Sequence, residues 1–284
     1  MKKFFSIFFL LIPVLLCACG RTEEEAIEPD PHEGQVYVYD GYGFVWMTPI
    51  EGLERSPFAE ADFRVDDDTP VYIGSEFTVE KGIDVSEHQL LIDWSKLQSE
   101  ELDFAFVRCG YRGYTEGGIY EDDYFNANMQ GAKNLGLKTG VYFCTQAINV
   151  AEAIEEANFV IELLQGWSID LPVAYDWERM YTDEARAENL SVQTRTDCAV
   201  AFLETVKAAG YTPCIYYNRT IGYYEFDLSR FSDYVQWFSL PITPPDVIYP
   251  SFLYSIDIWQ YSISESLPGI STEVDMDYIF TPVM

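Results

Sequence analysis

Leu171-Pro172-Val173-Ala174-Tyr175-Asp176-Trp177-Glu178 reads as a short buried strand ending in two acids one residue apart. Side chains alternate along a strand, so Asp176 and Glu178 share a face while Trp177 points into the packing behind. Their Cβ atoms then lie roughly 6–7 Å apart, twice the rise per residue. Two carboxyls held that close on a rigid element disfavour each other's ionisation, so one can keep its proton at neutral pH. That supplies a general acid beside a charged or polar partner. A surface strand that merely ends in two acids is the plainer alternative, and the rest of the chain decides between them.

Outward from this strand the pattern is regular. Short apolar runs at 82–85, 104–107, 139–143, 213–217, 234–238, 256–259 and 273–276 read as further strands. Helical periodicity occupies 94–101, 122–135, 150–165 and 191–209, with Gly136 and Gly210 as stops. Eight strands alternating with helices or loops predict an α/β fold, an irregular TIM-like (β/α)8 parallel barrel over residues 81–284. That span is at the low end for such a barrel, so some outer helices must be reduced to loops. Polar and aromatic residues recur where these strands end, beginning with Asp84, Arg108, Tyr142, Asp176 and Glu178. Tyr216 and Asn218, then Trp237, Gln260 and Asp275, continue the series. Barrel enzymes carry their sites on that face. Acids, rings and amides on one rim describe a carbohydrate cleft, with rings to stack on sugars and amides to bind hydroxyls.

The chain has 284 residues, 48% hydrophobic and 16% aromatic, enough for one large core and a small satellite. Its 47 acidic residues against 17 basic give a net charge of −30, which repels nucleic acid and anionic lipid. An anionic polymer would have to be bound through neutral groups. Of the histidines, only His32 and His88 are present, and no Cys or His pair has metal-ligand spacing, so neither a metal site nor a His-based triad is expected. Cys109, Cys144, Cys198 and Cys214 read as buried free thiols, with Cys109 and Cys144 near strand ends as the one plausible pair.

At the amino terminus, Met1-Lys2-Lys3 precedes an apolar run over 4–16, too short to span a bilayer and ending at small residues. Leu16-Cys17-Ala18-Cys19 resembles the bacterial lipobox, which makes 1–18 a signal peptide and Cys19 the lipidated residue. An ordinary secretory signal cut after Ala18 is the alternative. Either way the mature chain works outside the cytoplasm, held on the bacterial cell membrane through Cys19 if the lipobox is used. Residues 19–34 read as an acidic tether. Residues 35–80 alternate as short strands with a turn at Asp40-Gly41, a small β-rich segment whose aromatics serve cross-strand packing or glycan binding.

From Gly82 onward these residues resemble glycoside hydrolase family 25, the lysozymes of the Chalaropsis type. The likeness begins with Gly82-Ile83-Asp84-Val85-Ser86-Glu87-His88-Gln89, similar to the family's Asp-x-Ser-x-x-Gln, and Asp93-Trp94. It continues through Asp123-Tyr124-Phe125, Gly140-Val141-Tyr142-Phe143 and the Asp176-x-Glu178 strand. Ile215-Tyr216-Tyr217-Asn218, Trp259-Gln260-Tyr261 and Val274-Asp275 complete the order. The resemblance implies a peptidoglycan hydrolase, a muramidase cleaving the β-1,4 bond between N-acetylmuramic acid and N-acetylglucosamine. It implies Glu178 as general acid, with Asp176 orienting the 2-acetamido group. Asp84 and Asp275 match the other two cleft acids. Tyr142, Tyr216 and Trp259 would border the sugar subsites, joined by the rim residues Trp237, Gln260 and Arg108. No cofactor is implied, and the expected partners are glycan strands, bound by a monomer. Two departures stand out. Gln236-Trp237-Phe238-Ser239 replaces the family's aromatic-small-Ala run, and Asp277 stands where Asn is usual. The alternative within the same barrel is a non-catalytic glycan-binding lipoprotein, and a hydrolase of another 2-acetamido glycan is a third possibility.

Overall fold

The computed structural model describes residues 30–283. Residues 1–29, with the expected signal peptide and Cys19, and Met284 lie outside them. Two compact units divide the chain, 1–34 and 35–284. The larger unit opens with hairpin β1 (Val36–Tyr39) and β2 (Phe44–Met47), then hairpin β3 (Phe63–Asp66) and β4 (Thr69–Tyr72). Asp67 and Asp68 both take positive φ, the conformation that a two-residue hairpin turn needs.

The remaining elements follow in order. They are β5 (Phe77–Val85), β6 (Phe104–Arg112), β7 (Ile119–Glu121), α1 (Phe125–Asn134), β8 (Lys138–Cys144) and α2 (Val150–Leu163). Then come β9 (Val173–Asp176), α3 (Val192–Ala208), β10 (Pro213–Asn218), α4 (Arg219–Tyr224), β11 (Val235–Ser239), β12 (Ile258–Glu265) and β13 (Val274–Pro282). Helices start where the side chains allow. Asn149 and Ser191 cap α2 and α3 by accepting from the backbone N–H groups of Glu152 and Thr194.

Among the described residues, β5-β6-β8-β9-β10-β11-β12-β13 closes into an eight-stranded barrel, with β7 paired to the edge of β6. The expectation of eight parallel strands is corrected at the last one. Strand β13 runs antiparallel to both β12 and β5. A parallel return needs a crossover of about a dozen residues or more, and 266–273 is too short for it. Of the expected outer helices, 94–101 is a 3-10 turn (Trp94–Ser99) and the others shorten slightly. Strand β5 begins at Phe77, so the β-rich segment runs into the barrel without a break. Phe58, Phe63, Phe77 and Phe280 pack ring on ring, with the Phe58–Phe280 centroids 4.5 Å apart.

Two cores result. One fills the space between the barrel, its helices and the β3–β4 hairpin. The other fills the barrel with Phe104, Phe106, Ala174, Cys214, Trp237 and Ile258, contributed by successive strands. Glycine makes room for it: a Cβ on Gly82 or Gly140 would lie 2.3 Å from the Phe104 or Phe106 ring. The barrel is therefore solid below, and a site can form only at its upper rim. The four cysteines among the described residues are free.

Candidate active site

Inward-pointing positions alternate along each strand, so the layer above the apolar filling is set by register. In that layer Asp84 ends β5, Tyr142 and Cys144 end β8, and Asp176 ends β9. Tyr216 lies on β10 and Gln260 on β12. Asp275 arrives differently. As the second residue of an antiparallel strand, it pairs with Asp84 at the same rim. These residues, with Glu178 just beyond β9, line a cavity of about 200 Å³ floored by Trp237. Glu178 is itself exposed at the mouth. Trp177 faces away, under the Arg195 guanidinium at 3.8 Å, so Asp176 and Glu178 do share a face.

Gln260 ties the layer together. Its Oε1 accepts from Tyr216 Oη (2.9 Å) and Ser239 Oγ (2.7 Å). Its Nε2 donates to Asp84 Oδ2 (2.8 Å) and Asp275 Oδ2 (3.2 Å). One amide thus holds two acids from the first and last strands of the barrel. Arg108 lines the cavity, but its guanidinium is engaged by Asp122 at 2.8 Å and Glu87 at 2.9 Å. The Asp84-x-Ser86-x-x-Gln89 motif forms a capped turn. Ser86 N–H donates to Gln89 Oε1, and Gln89 Nε2 donates to the Glu273 carbonyl, fastening β5 to the start of β13.

Crowding the acids changes their protonation. Burial, then the charge of Glu178, pushes Asp176 well above the usual carboxylate range. Partial desolvation by the cleft walls, then the charge of Asp84, raises Glu178 although it reaches the mouth. Burial raises Asp84 to about 6, partly offset by the Gln260 hydrogen bond. Burial, then Asp84 and Glu178, raises Asp275 to about 8. The cluster therefore keeps protons at neutral pH where isolated carboxyls would have none. Asp277 sits one layer deeper, fully buried, accepting from Trp237 Nε1 at 2.8 Å. Burial and the charge of Asp84 push the carboxyl of this residue, which departs from the family pattern, well above the usual range.

One expected site residue is elsewhere. Trp259 is wholly buried on the outer side of β12, its Nε1 donating to the Leu240 carbonyl and its ring 5.6 Å from Phe63. Alternation demands this, because Gln260 beside it faces inward. Cys144 was not expected in the site. Its Sγ donates to Asp176 Oδ2 at 3.0 Å, and its two-residue spacing from Tyr142 already placed it on the inward face. Asp176 Oδ1, buried in the same place, has no hydrogen-bond partner.

Residues 83–270 match the family model described as glycosyl hydrolases family 25. The chain is 29% identical over 204 residues to Lysozyme M1 of Streptomyces globisporus, covering 69% of this chain and 66% of that protein. It is 27% identical over 197 residues to the autolytic lysozyme of Clostridium acetobutylicum, covering 69% and 55%. The chain therefore spans about two thirds of the first relative's length and little more than half of the second's. Among solved structures, it is similar to the modular autolysin LytC of Streptococcus pneumoniae, determined with a synthetic peptidoglycan ligand. That likeness has a TM-score of 0.63 and 24% identity, over 88% of this chain and 57% of that one.

Proposed function

Because the chain belongs to glycosyl hydrolase family 25, we propose that it is a peptidoglycan hydrolase cleaving the β-1,4 bond between N-acetylmuramic acid and N-acetylglucosamine. The observation that carries the reading is the convergence of Asp84, Asp176, Glu178 and Asp275 on one rim of a closed barrel, around a cavity with rings and an amide. A module that only bound glycan would gain nothing from four mutually repelling carboxyls.

Glu178, its pKa raised by its surroundings and its side chain exposed at the mouth, donates its proton to the glycosidic oxygen as the bond to the anomeric carbon breaks. The carbonyl oxygen of the substrate's own 2-acetamido group attacks that carbon, a recognised variant of the two-carboxylate scheme. Asp176 Oδ1, the unpartnered oxygen, accepts from the acetamido N–H and holds the group in line. Water then attacks the anomeric carbon as its bond to the acetamido oxygen breaks, restoring the acetamido group, and the water gives up a proton to Glu178. Asp84, fixed by Gln260, supplies the charge that helps raise Glu178. The resemblance of Leu16-Cys17-Ala18-Cys19 to a lipobox supports an activity outside the cytoplasm, held on a membrane surface through Cys19.

Digestion of purified peptidoglycan by the chain, with products reduced and identified by mass spectrometry, tests the bond assignment. New reducing ends on muramic acid are expected; ends on glucosamine would overturn the assignment. The pH profile tests the electrostatics. The active form carries protonated Glu178, so kcat/KM falls as pH rises through its raised pKa. Asp84 is ionised above about 6, and its charge helps raise Glu178. Asp84→Asn removes that charge, so the alkaline limb moves to lower pH. A limb that stays in place, or moves up, contradicts the arrangement.

A further inference from the structure

The β1–β2 hairpin lies outside the segment that matches the family, yet its turn is built into the mouth of the barrel. Asp40, almost fully buried, accepts from the backbone N–H groups of Tyr42 (2.7 Å) and Gly43 (2.9 Å) and from Tyr224 Oη of α4. Gly41, at φ +110°, lies so close to α4 that a Cβ there would stand 2.6 Å from Thr220 Oγ1. The Arg219 guanidinium stacks 5.3 Å from the Tyr39 ring centre. Helix α4 begins directly after β10, which carries Tyr216 of the site. The hairpin is therefore clamped at a fixed distance from the acids.

Between them runs a trough of about 730 Å³. Its lining takes in Tyr39, Gly41 and Tyr42 from the hairpin, Tyr181 from the segment after β9, and Glu178 and Asp275 of the site. Tyr42 and Tyr181 are 77% and 85% exposed. Tyr181 is held at φ +50°, a backbone region that bulky residues rarely occupy. The arginines of the trough are already engaged. Arg179 pairs with Glu188 and Glu225, and Arg219 donates to Ser251. Such a surface binds through rings and neutral polar groups rather than through charge, which suits sugars with flat apolar faces. A second cavity, of about 590 Å³, leaves the acids with Asp176, Glu178 and Tyr111 in its lining. The acids thus border two troughs, as a site that cuts within a polymer requires.

Resting on the hydrolase reading above, we propose that the hairpin builds an added glycan subsite, where Tyr42 and Tyr181 stack on N-acetylated sugars of a strand continuing beyond the cleaved bond. The occupant is the substrate strand itself, because the trough is continuous with the acids. The subsite rewards length: strands long enough to reach the hairpin bind more tightly than short ones.

The test uses the full chain and peptidoglycan glycan strands of defined length, freed of stem peptides. The kcat/KM advantage of long strands over a tetrasaccharide is expected to fall about three- to tenfold in Tyr42→Ala and in Tyr181→Ala. Tyr42→Phe, which keeps the ring, retains the advantage. If the wild-type chain cleaves both lengths and the alanine variants keep the same advantage, the subsite is refuted while the hydrolase reading stands. If the wild type cleaves neither, the hydrolase reading fails, and direct binding of the long strand decides the subsite. Weaker binding by Tyr42→Ala than by wild type supports it, and equal binding refutes it.

Discussion

Glu178→Gln is expected to lower kcat on peptidoglycan by about 10³-fold, within the usual range for loss of a general acid. Glutamine keeps the size and hydrogen-bonding capacity of the side chain but has no proton to give to the departing glycosidic oxygen. Exposed at the mouth, Glu178 makes no hydrogen bond that positions the other acids, and Gln260 holds Asp84 and Asp275 without it. The loss should therefore fall on kcat, with glycan affinity preserved. Release of new reducing ends, alongside direct binding of an uncleaved strand, separates the two. A variant with more than about a tenth of wild-type kcat would remove Glu178 from the acid role.

Trp237→Ala is expected to destabilise the fold by about 4 kcal/mol in urea unfolding. The ring is 1% exposed and lies 4.4 Å from Phe106, 5.2 Å from Tyr216 and 6.0 Å from Tyr142, centroid to centroid. These neighbours belong to different strands of a closed barrel and cannot collapse into the space without reopening the sheet. The truncation also strips Asp277 of its indole donor, leaving a buried carboxyl oxygen unsatisfied. Trp237→Phe should cost less than half as much, because the filling is mostly kept and only that hydrogen bond is lost. A cost below about 1 kcal/mol for the alanine variant would mean the floor relaxes.

The same residues mark where reading by alternation succeeded and where it was not applied far enough. In sequence Tyr142 on β8 reads as a site residue, whereas Cys144, two positions on, reads only as a buried free thiol or a disulfide partner of Cys109. Trp259 and Gln260 were both assigned to the cleft, although adjacent strand residues face opposite sides. In sequence Asp277 is only a departure from the family's usual Asn. Its burial follows from Asp275, since two residues along an antiparallel strand entering from the rim is one layer down.

By itself the sequence determined the local geometry. The alternating strand sends Asp176 and Glu178 one way and Trp177 the other, and Ser86 and Gln89 close their own turn. Those features depend on bonds within a few residues, which propensity and periodicity encode directly. Only the tertiary structure decided the direction of β13, and with it the arrival of Asp275 at the rim from the opposite end of its strand. It alone joined Gln260 to Asp84, 176 positions apart, and brought the turn at Gly41 to the mouth of the cleft. Closure of the barrel is a long-range event: strand order and direction are set by which connections can span the sheet, and no local pattern carries that information.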